Sequence, residues 1–334
     1  MKTKPLLLGL LGLGLSIGVL ELALRLFLGL GNPPLYQADS QTGYRLQPNQ
    51  KLFRFGNSME VNQYSQRNGV ISPTKPPNTR RILMLGDSVL NGGALTDQSR
   101  TITERFRARL GNSTEVINAS AGSWGIENRI GYLRLFGSFQ SDVIIFQIGT
   151  SDLIQRTSTG GMVGVDSSYP NQRPLSAISE GMSRYWMRVL RRLTSQATIA
   201  PAYAQQVRTP QDKAEWFARN SQSFNQAIRA LRSNPETTNV PIIVLYTPNL
   251  EDVASTPQAP LYKAEFLNLL KQLQIPVVDA HQAWSSLPEK TKSSYFSDVI
   301  HLTESGNQAI ADLLFQQLCV QSKSDWCKER TTKQ

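Results

Sequence analysis

The chain has 334 residues, with 35 Lys and Arg against 25 Asp and Glu (net charge +10), and 40% of it is hydrophobic, enough for one large globular domain with extensions or for two domains. Its two histidines (His281, His301) and two cysteines (Cys319, Cys327) exclude a multi-histidine metal centre, and their spacing does not match a zinc site, so no metal or other cofactor is expected. The positive excess favours acidic partners, but there is no aromatic-basic signature of nucleic-acid binding; an anionic membrane surface or acidic glycans suit it better.

Lys2 and Lys4 precede "PLLLGLLGLGLSIGVL", sixteen uncharged residues that span only about 24 Å as a helix. Extension through "ELALRLFLGLG" to Leu30 gives enough length to cross a bilayer core of about 30 Å. Glu21 and Arg25, four apart, then pair on one face near the far interface. No small-residue cleavage triplet precedes Asn32, which favours an uncleaved anchor at 1–30 over a signal peptide. A buried core helix fits less well, because nearly every face is apolar. The lysines place the N-terminus in the cytoplasm and the body outside it, in the periplasm or extracellular space.

Residues 31–79 hold Pro33, Pro34, Pro48, Pro73, Pro76 and Pro77 and little helical period, which predicts an extended connector with a small hairpin around "KLFRF" and "MEVNQYS". From Arg80 apolar runs alternate with helical ones. "RILMLG", "TEVINAS", "SDVIIFQIGTSD", "VPIIVLYTP" and "IPVVDA" read as strands; "TITERFRARL", "WGIENRIGYLRLFG" and "SGNQAIADLLFQQL" read as helices. That alternation predicts an α/β fold, a three-layer α/β/α sandwich on about five parallel strands. The principal domain is expected at 80–320, interrupted by an insertion at about 154–210 and followed by a tail at 321–334. Between Gln172 and Arg208 lie six arginines and one acid. The cluster Tyr185, Trp186 and Met187 among Arg184, Arg188, Arg191 and Arg192 reads as a basic amphipathic helix, either a lid that touches lipid or glycan or a solvated cap on the domain. In an oxidising compartment Cys319 and Cys327 are able to bridge; the alternative is a buried thiol and a loose tail.

Sites in open parallel sheets form beyond the carboxyl ends of the strands. Ser88 lies there, in "LMLGDS". It is either a helix cap or a nucleophile whose own N–H faces the reacting group. In "YFSDVIHLTESG", Asp298 and His301 are three apart, ahead of the last helix. A serine hydroxyl needs a base; His301 supplies one, and Asp298 orients the imidazole. His281 has no such acidic neighbour and is expected to pack. The pattern "GLSIG" at 14–18 falls within the apolar N-terminal segment and is a chance match to the lipase elbow, which Ser88 does not carry.

Gly86-Asp87-Ser88, "VINASAGSWG", "QIGTSD" and Asp298-x-x-His301, in that order, resemble the four blocks of the SGNH (GDSL) hydrolase family, in a membrane-anchored bacterial form. The resemblance covers roughly 80–318. It implies a flavodoxin-like fold and ester or acyl-group chemistry without a metal. It makes Ser88 the nucleophile and an oxyanion donor, His301 the base and Asp298 its orienter. The second block's donor falls on Ser123 by counting from Asn118 and on Gly122 by residue type. In the third block Ser151 stands where the family has an asparagine. Losing one oxyanion donor costs about 100- to 1,000-fold in rate.

The function expected is an extracytoplasmic serine esterase that works through an acyl-enzyme, deacetylating glycans or cleaving small acyl esters. The other readings are an O-acyltransferase of envelope glycans, a low-activity carbohydrate- or lipid-binding module that retains the fold, and an envelope scaffold that uses the basic helix at 184–192.

Overall fold

The structure, a computed structural model, describes residues 3–186, 209–254 and 259–321. Arg188, Arg191, Arg192 and Cys327 lie outside these residues, and so does most of the expected basic helix. No cysteine among the described residues is free.

Strands β5 (Arg80–Gly86), β6 (Thr114–Ser120), β7 (Val143–Gly149), β8 (Ile242–Thr247) and β9 (Val277–Asp279) form one parallel sheet in the order β6-β5-β7-β8-β9. Counted from β5, this is the doubly wound order 2-1-3-4-5, whose switch point falls between β5 and β7. The strands are apolar on both sides because helices cover both sides. Successive residues of β5 alternate between the layers. Leu83 and Leu85 pack with α4 (Ile126–Phe136), α6 (Pro210–Ser233) and α7 (Lys263–Gln272), while Ile82 and Met84 pack with α3 (Ile102–Leu110) and α8 (Glu304–Phe315). The result is the α/β/α sandwich predicted from the sequence.

Residues 31–79 are more folded than an extended connector. They form two antiparallel hairpins, β1 (Tyr36–Asp39) with β2 (Gly43–Leu46) and β3 (Gln50–Arg54) with β4 (Asn57–Val61), of which the β3–β4 pair is the hairpin expected around "KLFRF" and "MEVNQYS". The second turns through Phe55 and Gly56, both at positive φ (50° and 82°), the geometry that matches a two-residue hairpin. Leu46, Leu52, Met59 and Val61 make a small core of their own, and Tyr44 and Ile71 enter the core of the main domain. The prolines punctuate short strands here, because apolar residues at alternate positions have a surface to bury against.

Helix α1 (Thr3–Leu28) contains an apolar span, Leu7–Leu28, of 22 residues and mean hydropathy 2.2, none of it buried. Its length and composition are those of a membrane anchor or a signal sequence. Arg25 Nε donates to Glu21 at 2.7 Å, the pairing expected from their spacing. The Glu21 carboxylate also accepts the N–H groups of Ala177 (2.8 Å) and Ile178 (3.0 Å), at the start of the short helix α5 (Ala177–Glu180). Gly29, at φ +65°, ends α1 where any Cβ would strike the Phe53 carbonyl at 1.8 Å. Below it, Arg54 donates to Glu180 Oε1 at 2.6 Å and to the Gly29 carbonyl at 2.8 Å, while Glu180 accepts from the Gly31 N–H at 2.6 Å. Both side chains of this pair are nearly inaccessible (2% and 4% exposed), so removing one leaves the other charge buried alone. Glu180→Ala should lower the free energy of unfolding by about 3–5 kcal/mol in urea denaturation, whereas a change within about 0.5 kcal/mol would show that the pair carries no weight.

Candidate active site

Ser88 begins a four-residue helix, α2 (Ser88–Asn91), at the carboxyl end of β5. Asp87 caps it by accepting from Val89 N at 2.8 Å, and the Asp87 N–H donates to Gln147 Oε1 at 3.0 Å. Gln147 is fully buried on β7, and its amide donates onward to Thr247 Oγ1 on β8 at 3.0 Å. Three strand ends are thus stitched together at the switch point. Gly86 is required by this closeness: a Cβ there would meet Gln147 Oε1 at 2.5 Å and Leu90 at 2.6 Å. The one sequence signal for Gln147 is its place as the lone polar residue in the apolar run "VIIFQIG".

The other half comes from the loop before α8. A bridge between Phe296 and Leu302 closes this loop, and the Ser297 N–H donates to the His301 carbonyl at 2.8 Å. Asp298 Oδ1 accepts from the backbone N–H groups of Ile300 and His301, both at 2.8 Å. Its Oδ2 lies 2.8 Å from His301 Nδ1, and His301 Nε2 lies 2.9 Å from Ser88 Oγ. With Nδ1–H donating to Asp298, Nε2 is left to accept from the serine hydroxyl. Partial burial raises the Asp298 carboxyl, but the N–H groups of His301 and Ile300 and the imidazole outweigh it and hold the group below its ordinary range. The structure therefore brings Ser88, His301 and Asp298 into one chain of hydrogen bonds.

Gly122 and Ser123 occupy a turn at 121–124, closed by Trp124 N donating to Ala121 O at 3.3 Å, with Ser123 at φ +59°. Among the described residues neither their N–H groups nor that of Ser88 has an acceptor. The Gly122 carbonyl instead accepts from Tyr44 Oη at 2.5 Å, and Trp124 Nε1 donates to the Tyr44 carbonyl at 2.7 Å. The Ser123 carbonyl accepts from Gln155 Nε2 at 2.6 Å, and its hydroxyl accepts from Tyr169 at 2.9 Å, so its side chain is committed to the 155–169 segment.

Ser151 sits in a 3₁₀ turn, Thr150–Leu153, beyond β7. Its hydroxyl accepts from Asn249 Nδ2 at 3.3 Å, a contact absent from the sequence reading. Asp252 Oδ2 fixes both partners by accepting from Thr150 Oγ1 at 2.6 Å and from Asn249 N at 2.7 Å. Asp152 organises the same loop. It accepts from Gly149 N at 2.6 Å and from Arg129 Nη2 at 2.8 and 2.9 Å. Burial pushes its carboxyl above the ordinary range, against the Arg129 charge. His281 stands apart from Ser88, between Lys263 Nζ at 2.7 Å and the Asp252 carbonyl at 3.0 Å.

A cleft of about 530 Å³ opens on the His301 side of Ser88, walled by residues 92–96 and by Asp298, Thr303 and Asn307. Arg67, from the hairpin segment, holds that wall by donating to the carbonyls of Asn91, Gly93 and Thr96. Among the described residues no group of three or more His, Cys, Asp or Glu is placed to hold a metal.

Residues 84–309 match the model of the GDSL-like lipase/acylhydrolase family. The chain belongs to that family, and it is an ester-hydrolysing enzyme. Comparison with curated proteins gives no match. Among solved structures, the hydrolase is similar to the native M. smegmatis aryl esterase (16% identity over 73% of this chain and 99% of that one, TM-score 0.41). It is also similar to the acetyl xylan esterase AlAXEase (12% identity, 71% and 98%, TM-score 0.43). A third is a lipolytic G-D-S-L family protein from Veillonella parvula (13% identity, 72% and 100%, TM-score 0.43).

Tyr44→Phe removes the hydroxyl that holds the Gly122 carbonyl while keeping the ring. The hydrolase should lose about 0.5–1.5 kcal/mol of stability in chemical denaturation, the net worth of one hydrogen bond; no loss would mean that the turn at 121–124 is held without it.

Proposed function

We propose that the hydrolase is a membrane-anchored serine esterase that forms an acyl-enzyme on Ser88. The observation that carries this reading is the 2.9 Å approach of His301 Nε2 to Ser88 Oγ, with Asp298 on the other ring nitrogen. Ser88 Oγ attacks the ester carbonyl as its proton passes to His301, and Asp298 stabilises the imidazolium. The developing oxyanion takes the Ser88 N–H, an outward N–H of the turn at 121–124 and the Ser151 hydroxyl. Ser151 already accepts from Asn249, so its own hydrogen is free to donate. As the intermediate collapses, His301 protonates the departing alcohol, and the cleft on that side receives it. Water deprotonated by His301 then attacks the acyl carbon, and the acid leaves Ser88. Acyl esters, O-acetylated glycans among them, are the proposed substrates.

In this reading α1 is a retained anchor, with Lys2 and Lys4 in the cytoplasm and the body on the extracytoplasmic side. The capping of α5 by Glu21 supports retention, because cleavage beyond residue 21 would take away the acceptor of the Ala177 and Ile178 N–H groups.

A fluorophosphonate probe should label the wild-type enzyme and fail to label a folded Ser88→Ala variant; labelling of that variant, or none of the wild type, would falsify the assignment. Acid titration provides a second measurement. Asp298 is held below its ordinary range by the N–H groups of His301 and Ile300, so it stays ionised until the pH falls through its lowered pKa. Followed by carboxyl 13C NMR, Asp298 should take up its proton below the ordinary aspartate value of about 3.9, and uptake at or above that value would show that these groups do not hold it down.

A further inference from the structure

The N-terminal helix is joined to the body by buried and part-buried polar contacts. Glu21 caps α5, Leu30 lies against Gly181, and the buried pair Arg54–Glu180 holds Gly29 and Gly31. Around this junction three elements turn large apolar side chains to solvent. They are Phe27 on α1 (75% exposed), Phe53 on β3 (48%), and Leu175, Met182 and Trp186 before and after α5 (100%, 56% and 54%). Exposed apolar surface gathered in this way marks a contact rather than a solvated face. Arg173 is exposed beside Leu175, and the net charge of +10 suits anionic headgroups.

The same corner is tied to the cleft. The Leu28 carbonyl accepts from Phe55 N at 3.1 Å, and Ser58 N donates to Asp97 Oδ2 at 2.8 Å. Only Gly56 and Asn57 separate these two contacts, a reach of at most about 10 Å. Asp97 directly follows the cleft wall at 92–96, where Leu95 is 77% exposed. The end of the apolar helix is therefore linked to the wall of the cleft by a short run of contacts.

Resting on the anchored-esterase reading above, we propose that this apolar corner is seated in the headgroup layer of the bilayer and holds the Ser88–His301 cleft at that surface, so that the substrate is an acyl ester borne by a membrane amphiphile. Aromatic and aliphatic side chains enter the boundary between headgroups and acyl chains, as on interfacial helices. The fixed junction converts that seating into a fixed height of the cleft above the membrane.

The test uses full-length protein in vesicles of equal parts phosphatidylcholine and phosphatidylglycerol. Nitroxides at Leu175→Cys and Phe53→Cys should collide more with oxygen and less with a water-soluble nickel chelate than one at Glu236→Cys, an exposed position at the opposite end of the strands. In the double variant Leu175→Asp and Met182→Asp, turnover of p-nitrophenyl palmitate dissolved in the vesicles should fall about tenfold or more, while turnover of p-nitrophenyl acetate from water stays at the parent level. Equal collision at the three positions, equal loss for both esters, or no loss for either overturns the proposal. Acetate turnover that survives Ser88→Ala overturns the nucleophile instead, and the nitroxide readings separate that failure from a failure of seating.

Discussion

A hydrogen bond of 2.9 Å joins His301 to Ser88 across 213 positions of chain, and the candidate chemistry depends on it. Neither residue is unusual by itself. What makes the contact is strand order. The doubly wound sheet places the end of β5 beside the end of β7, and α8 returns the chain along the layer that also holds α3, so the loop preceding α8 comes down over Ser88. Gly86 and Gln147 then fix the height of Ser88, and the backbone N–H groups of Ile300 and His301 fix Asp298. Ser88 and His301 are held by groups that cannot move without breaking hydrogen bonds in the sheet or the loop, which is the preorganisation that the proposed mechanism needs.

The segment at 31–79 braces the same geometry from outside. Tyr44 holds the Gly122 carbonyl, Arg67 gathers the carbonyls of Asn91, Gly93 and Thr96, and the N–H groups of β4 dock on Asp97 and Gln98. Burial pushes the Arg67 guanidinium down to about 10, yet three carbonyl acceptors keep a charged group tolerable there. A stretch that begins at the end of the apolar helix thus ends by holding the wall of the cleft in place. In the proposed anchored enzyme, attachment and catalysis share one piece of structure.

In the proposed mechanism Ser151 takes the place of the asparagine that the resemblance puts in the third block. An asparagine in the third block would carry its own reach and its own donor. Here the shorter serine is supported from the next strand end by Asn249, and Asp252 holds both loops at their bases. A hydroxyl that receives a hydrogen bond is polarised to give one, so two residues on neighbouring strands stand in for one longer side chain in the proposed mechanism.

The sequence by itself determined the local parts: alternating apolar runs and helices, the apolar N-terminal helix with its Glu21–Arg25 pair, and the short motifs around Ser88, Ser151 and Asp298–His301. These are legible because their physics is local, in periodicity, capping and contacts within a few residues. The tertiary structure alone decided which strand ends adjoin, that residues 31–79 add a further hairpin at 36–46 and pack onto the domain rather than run as a connector, and that Tyr44, Arg67, Gln147 and Asn249 serve the candidate site. Each of those four acts through a partner many positions away. A lone polar residue in a sequence does not say which distant carbonyl or hydroxyl the folded backbone will bring within hydrogen-bond reach.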